Sequence, residues 1–491
     1  MTPFAPQEFL LLLPEISLAV CGMALLVLGS IGRGVKGRAA AVGSLIALAV
    51  TTALVFWAQG QAPAGGQPIL AGMFVLDAYA FFWKIVLLLA TALTILLSVR
   101  FVEEGGYRAA EYYSLILLAT TGMLFMVSGF NLLSIWISLE LMALSSYILV
   151  GYFKHETRSN EAALKYFVLG ALSSGILLYG ISLIYGATRT LALTELPQRL
   201  AVVTAEGNIL VGVGWILLAV GLFFKIAAVP FHVWTPDVYV GAPTPVTGYL
   251  AAASKAAAVA ILIRIFFQGL GPVVIDWQVI VAAVASLSMI WGNIAALTQT
   301  NVKRMLAYSS IAHAGYILMG VLAASETGLW ASMFYVLAYS LFTLGAFGTV
   351  ILLERREYAG ETLDDYAGLA QRAPVLAALM LVFLLALTGI PPTGGFFGKV
   401  YLFAAALEAG WTWVAVIGVL TSAISLYYYM GIVVQMYFKD SENSTPVPMR
   451  NPVLGAALMF CALATVLLGI LPGFLVNFAK ASVLPVVWSM F

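Results

Sequence analysis

The sequence predicts an all-α polytopic membrane protein of about fourteen transmembrane helices. Three observations predict it. Of the 491 residues 62% are hydrophobic and only 9% charged, against about 25% charged in soluble domains. Mean hydropathy is +1.02. Apolar runs close to the roughly 20 residues that a span requires recur from one end of the chain to the other. The net charge of +1 offers no basic face to nucleic acid, so the aromatic residues read as interfacial anchors and packing groups. Cys21 and Cys461 both lie in apolar runs, too far apart in the sequence to suggest a disulfide framework or metal-ligand spacing.

The first run, 9–30, has no Lys or Arg before it. It lacks the basic region of a cleavable signal and is read as a span. Further spans are predicted at 39–59, 75–98, 110–129, 131–153, 160–186, 207–229, 243–269, 275–299, 302–323, 326–353, 373–408, 411–438 and 451–475. An even number of spans puts both termini on one side. Lys and Arg favour short cytoplasmic loops. Loops after odd-numbered spans carry Arg33, Lys36, Arg38, Arg100, Arg108, Lys154, Arg158, Lys303, Arg304, Arg355, Arg356, Arg372, Lys439 and Arg450. The opposite loops and the tail carry only Arg189, Arg199 and Lys480. Both termini are therefore expected on the non-cytoplasmic side.

Lys84, Lys165, Lys225, Lys255, Arg264 and Lys399 fall inside predicted spans, and against them stands one mid-span acid, Glu140. A fixed charge at the bilayer centre costs about 2.5–3.5 kcal/mol on insertion scales, so some of these groups must reach water, be neutral or find partners. Arg264 lies near its helix end and is expected to snorkel to the interface. Lys84 is open to either a structural or a functional reading. Lys165 follows Glu161 by four residues, a helical ion-pair spacing, and its structural and functional readings weigh equally. Glu140 and Lys255 are too central to snorkel, and an ionisable group at that depth is a functional candidate by default.

The seventh and twelfth spans are predicted to break. In "LFFKIAAVPFHVWTPD" Lys225 is followed by Pro230 and Pro236, and in "GIPPTGGFFGKV" Pro391, Pro392, Gly394 and Gly395 precede Lys399. Interrupted spans in two halves of a chain point to an ion path between inverted repeats, here with Pro230 expected to open the backbone where water enters. The corresponding division is three N-terminal helices (1–100), a five-helix unit (110–269), a second (275–438) and a C-terminal helix with its tail (451–491). "TGGFFGKV" is no phosphate loop, because Thr393 and Val400 stand where that motif needs Gly and Ser or Thr.

Among the histidines, His155 sits in a charged loop and His232 caps or relays at the first break. His313, mid-span, is a candidate relay because imidazole titrates near neutral pH. Carboxylate, lysines and histidine at one depth suit proton transfer. The sequence reading pairs Glu140 with Lys225 and passes the proton through Lys255 and His313 to Lys399. A structural scaffold whose charges merely pack is the competing reading.

"NLLSIWISLELMALSSYILVGY", "FFKIAAVPFHVWTPDVYVGAPTPVTGYLAAASKAAAV", "NVKRMLAYSSIAHAGYILMG" and "GIPPTGGFFGKVYLF" together resemble the antiporter-like membrane subunits of respiratory complex I, over roughly 75–440. The resemblance implies a fourteen-helix fold with two inverted five-helix repeats and broken seventh and twelfth helices. It implies Glu140 as coupling carboxylate, Lys225 as its partner, Lys255 as central relay and Lys399 as exit-side site, with His313 and Lys165 as lesser members. Lys399 stands where M-type members usually carry Glu, and the short tail lacks the long lateral helix of L-type members. No cofactor is implied in this chain: NADH, FMN, iron–sulfur clusters and quinone would belong to partner subunits. M- and K-type membrane-arm subunits would be its neighbours in a bacterial inner membrane. Multi-subunit cation/proton antiporters and membrane-bound hydrogenases share the same blocks and form the alternative.

Overall fold

The computed structural model describes residues 6–31, 37–63, 65–105, 107–270, 277–354, 360–440 and 452–484. Thirteen helices among them are long and apolar enough to cross a membrane, and Pro374–Thr388 is a shorter apolar one. In order these are α1 (Leu13–Ser30), α2 (Gly37–Gln61), α3 (Ala78–Gly105), α4 (Ala109–Ser128), α5 (Leu132–Val150), α6 (Thr157–Thr188), α7a (Ile209–Ile226), α8 (Thr244–Leu270), α9 (Trp277–Leu297), α10 (Val302–Leu322), α11 (Glu326–Leu353), α12a (Pro374–Thr388), α13 (Thr412–Phe438) and α14 (Pro452–Ile470). The broken spans continue as α7b (Trp234–Gly241) and α12b (Gly394–Glu408). The predicted spans correspond to these helices. Arg33, Lys36, Arg355, Arg356 and Arg450 of the loop-charge pattern lie outside the described residues.

Helix starts follow local chemistry. The side chains of Asn131, Asn208, Asn301 and Ser325 each accept from a backbone N–H in the first turn of α5, α7a, α10 and α11. At the breaks the helices end in left-handed residues, Ala227 (φ +62) after α7a and Gly389 (φ +88) after α12a. Each break also contains a cis X–Pro bond, at Val229–Pro230 and Pro391–Pro392.

The core sits on α8, α10 and α11. α8, α10 and α11 are buried along nearly their whole length, whereas α1 is largely exposed. A helix apolar on every side belongs in the interior of a bundle. α8 carries π-helical turns at Leu250–Ser254, directly before Lys255, and at Ile265–Leu270, directly after Arg264. Such turns are rare and gather at functional positions.

One set of contacts occurs twice at a constant interval along the chain. Asn131 caps α5 and bridges Ala192; Asn301 caps α10 and bridges Thr362. Leu132 N donates to Leu191 O and Leu193 N to Phe130 O, while Val302 N donates to Glu361 O and Leu363 N to Thr300 O. A Cβ on Gly122 of α4 would lie 2.6 Å from Met142 N of α5, and one on Gly292 of α9 would lie 2.6 Å from Ala312 N of α10. Glycine at both places lets two backbones touch.

The sequence reading did not foresee the hairpin β1 (Gln67–Ile69) and β2 (Phe74–Leu76), nor the short helices Leu196–Ala205 and Gly473–Ala481.

Candidate proton-transfer site

The six intramembrane cations divide into three that have carboxylate partners and three that do not. Lys84 Nζ lies 2.6 Å from Glu15 Oε1, both groups buried. The snorkelling expectation for Arg264 fails: its side chain is fully buried and forks onto Asp77 through Nη1 at 2.8 Å and Nη2 at 3.0 Å. Val127 O and Gln268 Oε1 take further donors, and the guanidinium sits 4.8 Å from the Tyr79 ring centroid. Sequence reasoning missed this because Asp77 stands just before α3, while Arg264 is most of a span into α8. Lys165 is half-exposed and pairs with Glu161 at 2.7 Å, as its spacing predicts, and with Asp237 at 2.8 Å. Asp237 in turn binds Arg304 of α10 at 2.8 Å. Among the described residues, Lys225, Lys255 and Lys399 have no carboxylate within ion-pair distance, and all three are buried.

Glu140 and Lys225 form no ion pair in this structure. Glu140 Oε1 accepts a short hydrogen bond from Ser174 Oγ of α6, which itself accepts from Trp136 Nε1 at 2.9 Å. Among the described residues Lys225 Nζ has no hydrogen-bond partner, and it faces the rings of Tyr147, Tyr166 and Phe224. Glu140 is partly exposed on a stripe of α5 that includes the exposed Leu133, Ile137, Leu144 and Ile148.

Lys255, at the end of the first π-helical turn, donates to Ser310 O at 2.6 Å and, through a shorter bond, to Ser310 Oγ of α10. One turn along α10, His313 is hydrogen-bonded at both ring nitrogens: Nδ1 to Tyr335 Oη at 2.6 Å and Nε2 to Tyr429 Oη at 3.4 Å. Tyr429 Oη makes a short bond with Ser309 Oγ. Lys399 donates to Leu387 O at 3.1 Å, Thr388 O at 2.8 Å and Ser422 Oγ at 2.8 Å, 4.7 Å from the Tyr316 ring. The first two acceptors are carbonyls at the end of α12a, freed because the helix stops there. Tyr316 Oη reaches Thr421 and Asn293, and Tyr428 Oη donates to Asn293 at 3.0 Å. Ser310, Tyr335, Tyr429 and Ser422 were not singled out from sequence. Hydroxyls are common in membrane helices, and only the fold shows which ones face the lysines.

The break at α7a leaves Pro230 exposed. Its donors are met inside the protein: Val229 N by Ser288 Oγ at 2.9 Å, Ala228 N by Phe223 O at 2.9 Å and Phe231 N by Ala228 O at 2.7 Å. Beside Pro230 lies a cavity of about 210 Å³ walled by apolar side chains, among them Trp215, Phe223, Phe231, Phe266 and Trp277. His232 packs near Trp291 at the same break, and His155 is exposed.

Among the described residues there is no group of three or more His, Cys, Asp or Glu placed to hold a metal ion. Buried lysines, two of them held on hydroxyls and carbonyls, and a buried imidazole in the same bundle are groups that can hold and pass protons. Residues 129–425 match the transmembrane family described as NADH:quinone oxidoreductase/Mrp antiporter. The chain belongs to that family. It is 42% identical over 480 residues to NADH-quinone oxidoreductase subunit N 1 of Solibacter usitatus, covering 98% of each chain. It is 43% identical to subunit N 2 of Rhizobium meliloti, over 96% of each. Its fold matches a chain of respiratory complex I from Thermus thermophilus with bound aureothin, at TM-score 0.79 and 35% identity, covering 95% of this chain and 99% of that one. Glu140, Lys225, Lys255, His313 and Lys399 all fall within the part matched to the family.

Proposed function

We propose that this family member is a proton-translocating membrane-arm subunit of an NADH-quinone oxidoreductase, of the subunit N type. Quinone reduction elsewhere in the complex drives protons through it. The observation that carries the reading is the buried set of Lys225, Lys255 and Lys399, without carboxylate partners, two of them on hydroxyls and carbonyls beside a doubly bonded His313. Loading such a group against 100 mV costs about 2.3 kcal/mol per charge, which a partner must supply. NADH, FMN, iron–sulfur and quinone chemistry lie in other subunits of the complex.

In this reading Glu140 is the coupling carboxylate, Lys225 the first proton holder, Lys255 and His313 the relay and Lys399 the exit-side group, with Lys165 at the cytoplasmic margin. A carboxylate on an otherwise apolar exposed stripe calls for a protein neighbour in place of lipid, which supports M- and K-type subunits as the flanking chains. The recurrent contacts around Asn131 and Asn301 support two five-helix units, 110–269 and 275–438, and an odd number of spans in each sets consecutive units in inverted orientation. The loop charges support both termini on the non-cytoplasmic side of a bacterial inner membrane.

Replacing Lys225 or Glu140 by Ala in the assembled complex should leave assembly intact and abolish most NADH-driven proton pumping. Normal assembly with undiminished pumping refutes the reading. Sodium-dependent transport by the purified complex, with no NADH-linked activity, would place it with the cation/proton antiporters.

A further inference from the structure

Lys225 differs from the other two unpaired lysines in what holds it. Lys255 and Lys399 donate to oxygen acceptors, whereas Lys225 Nζ, buried, has none among the described residues. It is surrounded by rings: the centroids of Tyr147, Tyr166 and Phe224 lie 5.6, 5.9 and 6.0 Å away. A cation within about 6 Å of an aromatic face is attracted by the ring quadrupole, and more strongly when water is excluded.

The rings are held in place by the break itself. Tyr147 meets Tyr166 edge to face at 4.8 Å, and Tyr166 stacks on Trp234 of α7b at 4.6 Å and 17°. Trp234 Nε1 donates at 3.1 Å to Phe224 O, the carbonyl next to Lys225, so the chain beyond the break folds back to brace the cage. The Tyr147 hydroxyl has no hydrogen-bond partner among the described residues. It rests against Gly170, where any Cβ would collide with it.

We infer that Tyr147, Tyr166 and Phe224 form an aromatic cage that holds the protonated Lys225 ammonium while no carboxylate is in contact with it. The two tyrosines are then positioning residues for proton transfer. This inference rests on the proposed proton-pumping role of Lys225. It explains how a charge can wait there with Glu140 engaged by Ser174: the rings act at short range and favour only the cationic form.

The test uses the intact complex in membrane vesicles, with Tyr166 replaced in turn by Phe and by mono-, di- and trifluorinated phenylalanine. Fluorine drains the ring face of negative potential at nearly constant shape. Pumping per quinone reduced should be unchanged for Phe and fall stepwise, by roughly three- to tenfold at the trifluoro ring. Equal pumping across the fluorinated series overturns the cage, as does a Phe variant as impaired as the trifluoro one, since packing alone would not follow fluorine content. Lys225→Ala separates the two ideas. Normal pumping in that variant refutes the proposed function itself, and loss of pumping there with a flat fluorine series refutes only the cage.

Discussion

Gly389 and Gly410 make a matched pair for testing the second lysine site. Both have left-handed backbone, φ +88 and φ +82. A Cβ on Gly410 would meet nothing within 4 Å, whereas one on Gly389 would lie 2.9 Å from Lys399 Cδ and 3.5 Å from its Nζ. Ala at either position carries the cost of the left-handed region, about 1–2 kcal/mol. Only Gly389→Ala adds crowding, about 1–3 kcal/mol more. The Lys399 ammonium cannot yield freely, because it is tethered to Leu387 O, Thr388 O and Ser422 Oγ. Displacing it from one charged hydrogen bond costs about 1.5–3 kcal/mol.

The expected result is a loss of about 1–2 kcal/mol for Gly410→Ala with normal pumping. For Gly389→Ala it is a loss of about 2–5 kcal/mol and a fall in pumping of about tenfold or more, since 1.4 kcal/mol is a factor of ten. NADH-driven quenching of a pH-sensitive dye in inverted vesicles, normalised to NADH oxidation, reads the pumping. Thermal inactivation midpoints read the stability. Equal pumping by the two variants would refute the placement of Lys399 against the break.

Asp77→Asn strips the buried Arg264 of its counter-charge and should destabilise the subunit by about 3–5 kcal/mol, with Asp77→Asn/Arg264→Gln recovering most of it in the same thermal assay. Glu361, nearly fully buried, binds Arg158 at 3.0 Å, Asn301 at 2.8 Å and Lys303 at 3.2 Å. Burial pushes its carboxyl up, but Lys303, Asn301 and Arg158 outweigh burial and hold it below its ordinary value. A depressed carboxyl stabilises the fold fully above the unfolded value of about 4.3 and loses that contribution as pH falls through the lower folded value. Inactivation midpoints of the wild type should therefore drop more steeply below about pH 4.3 than those of Glu361→Gln; parallel curves would refute this. Gly292→Ala should part α9 from α10 at a backbone contact that cannot yield, at a cost of about 1–3 kcal/mol. Gly122→Ala should do the same to α4 and α5, and normal assembly and stability in both would count against the shared geometry.

Much of the fold was legible in the sequence because lipid leaves few choices. Backbone groups in hydrocarbon must bond within their own segment, so apolar length translates directly into helices, and Pro and Gly mark where they stop. That reasoning located both breaks, at Pro230 and at Pro391–Pro392. It also singled out the groups that cannot snorkel: Glu140, Lys255, and the lysines beside the breaks. The hairpin Gln67–Leu76 escaped it because short, partly exposed segments carry no period.

Partnership was decided only by tertiary structure. Six cations within spans stood against one mid-span acid in the sequence, yet Glu15 and Asp77, near the ends of their helices, neutralise the buried Lys84 and Arg264. Helix packing brings them within 3 Å, and a linear reading has no means of ranking pairs so far apart. The same holds for the hydroxyls of Ser310, Tyr335 and Tyr429, for the carbonyls that receive Lys399, and for the rings around Lys225. The sequence by itself determined that charges lie in the membrane and where its helices break. What each charge touches depends on distances between helices, and those are set by packing such as Gly122 on Met142 and Gly292 on Ala312.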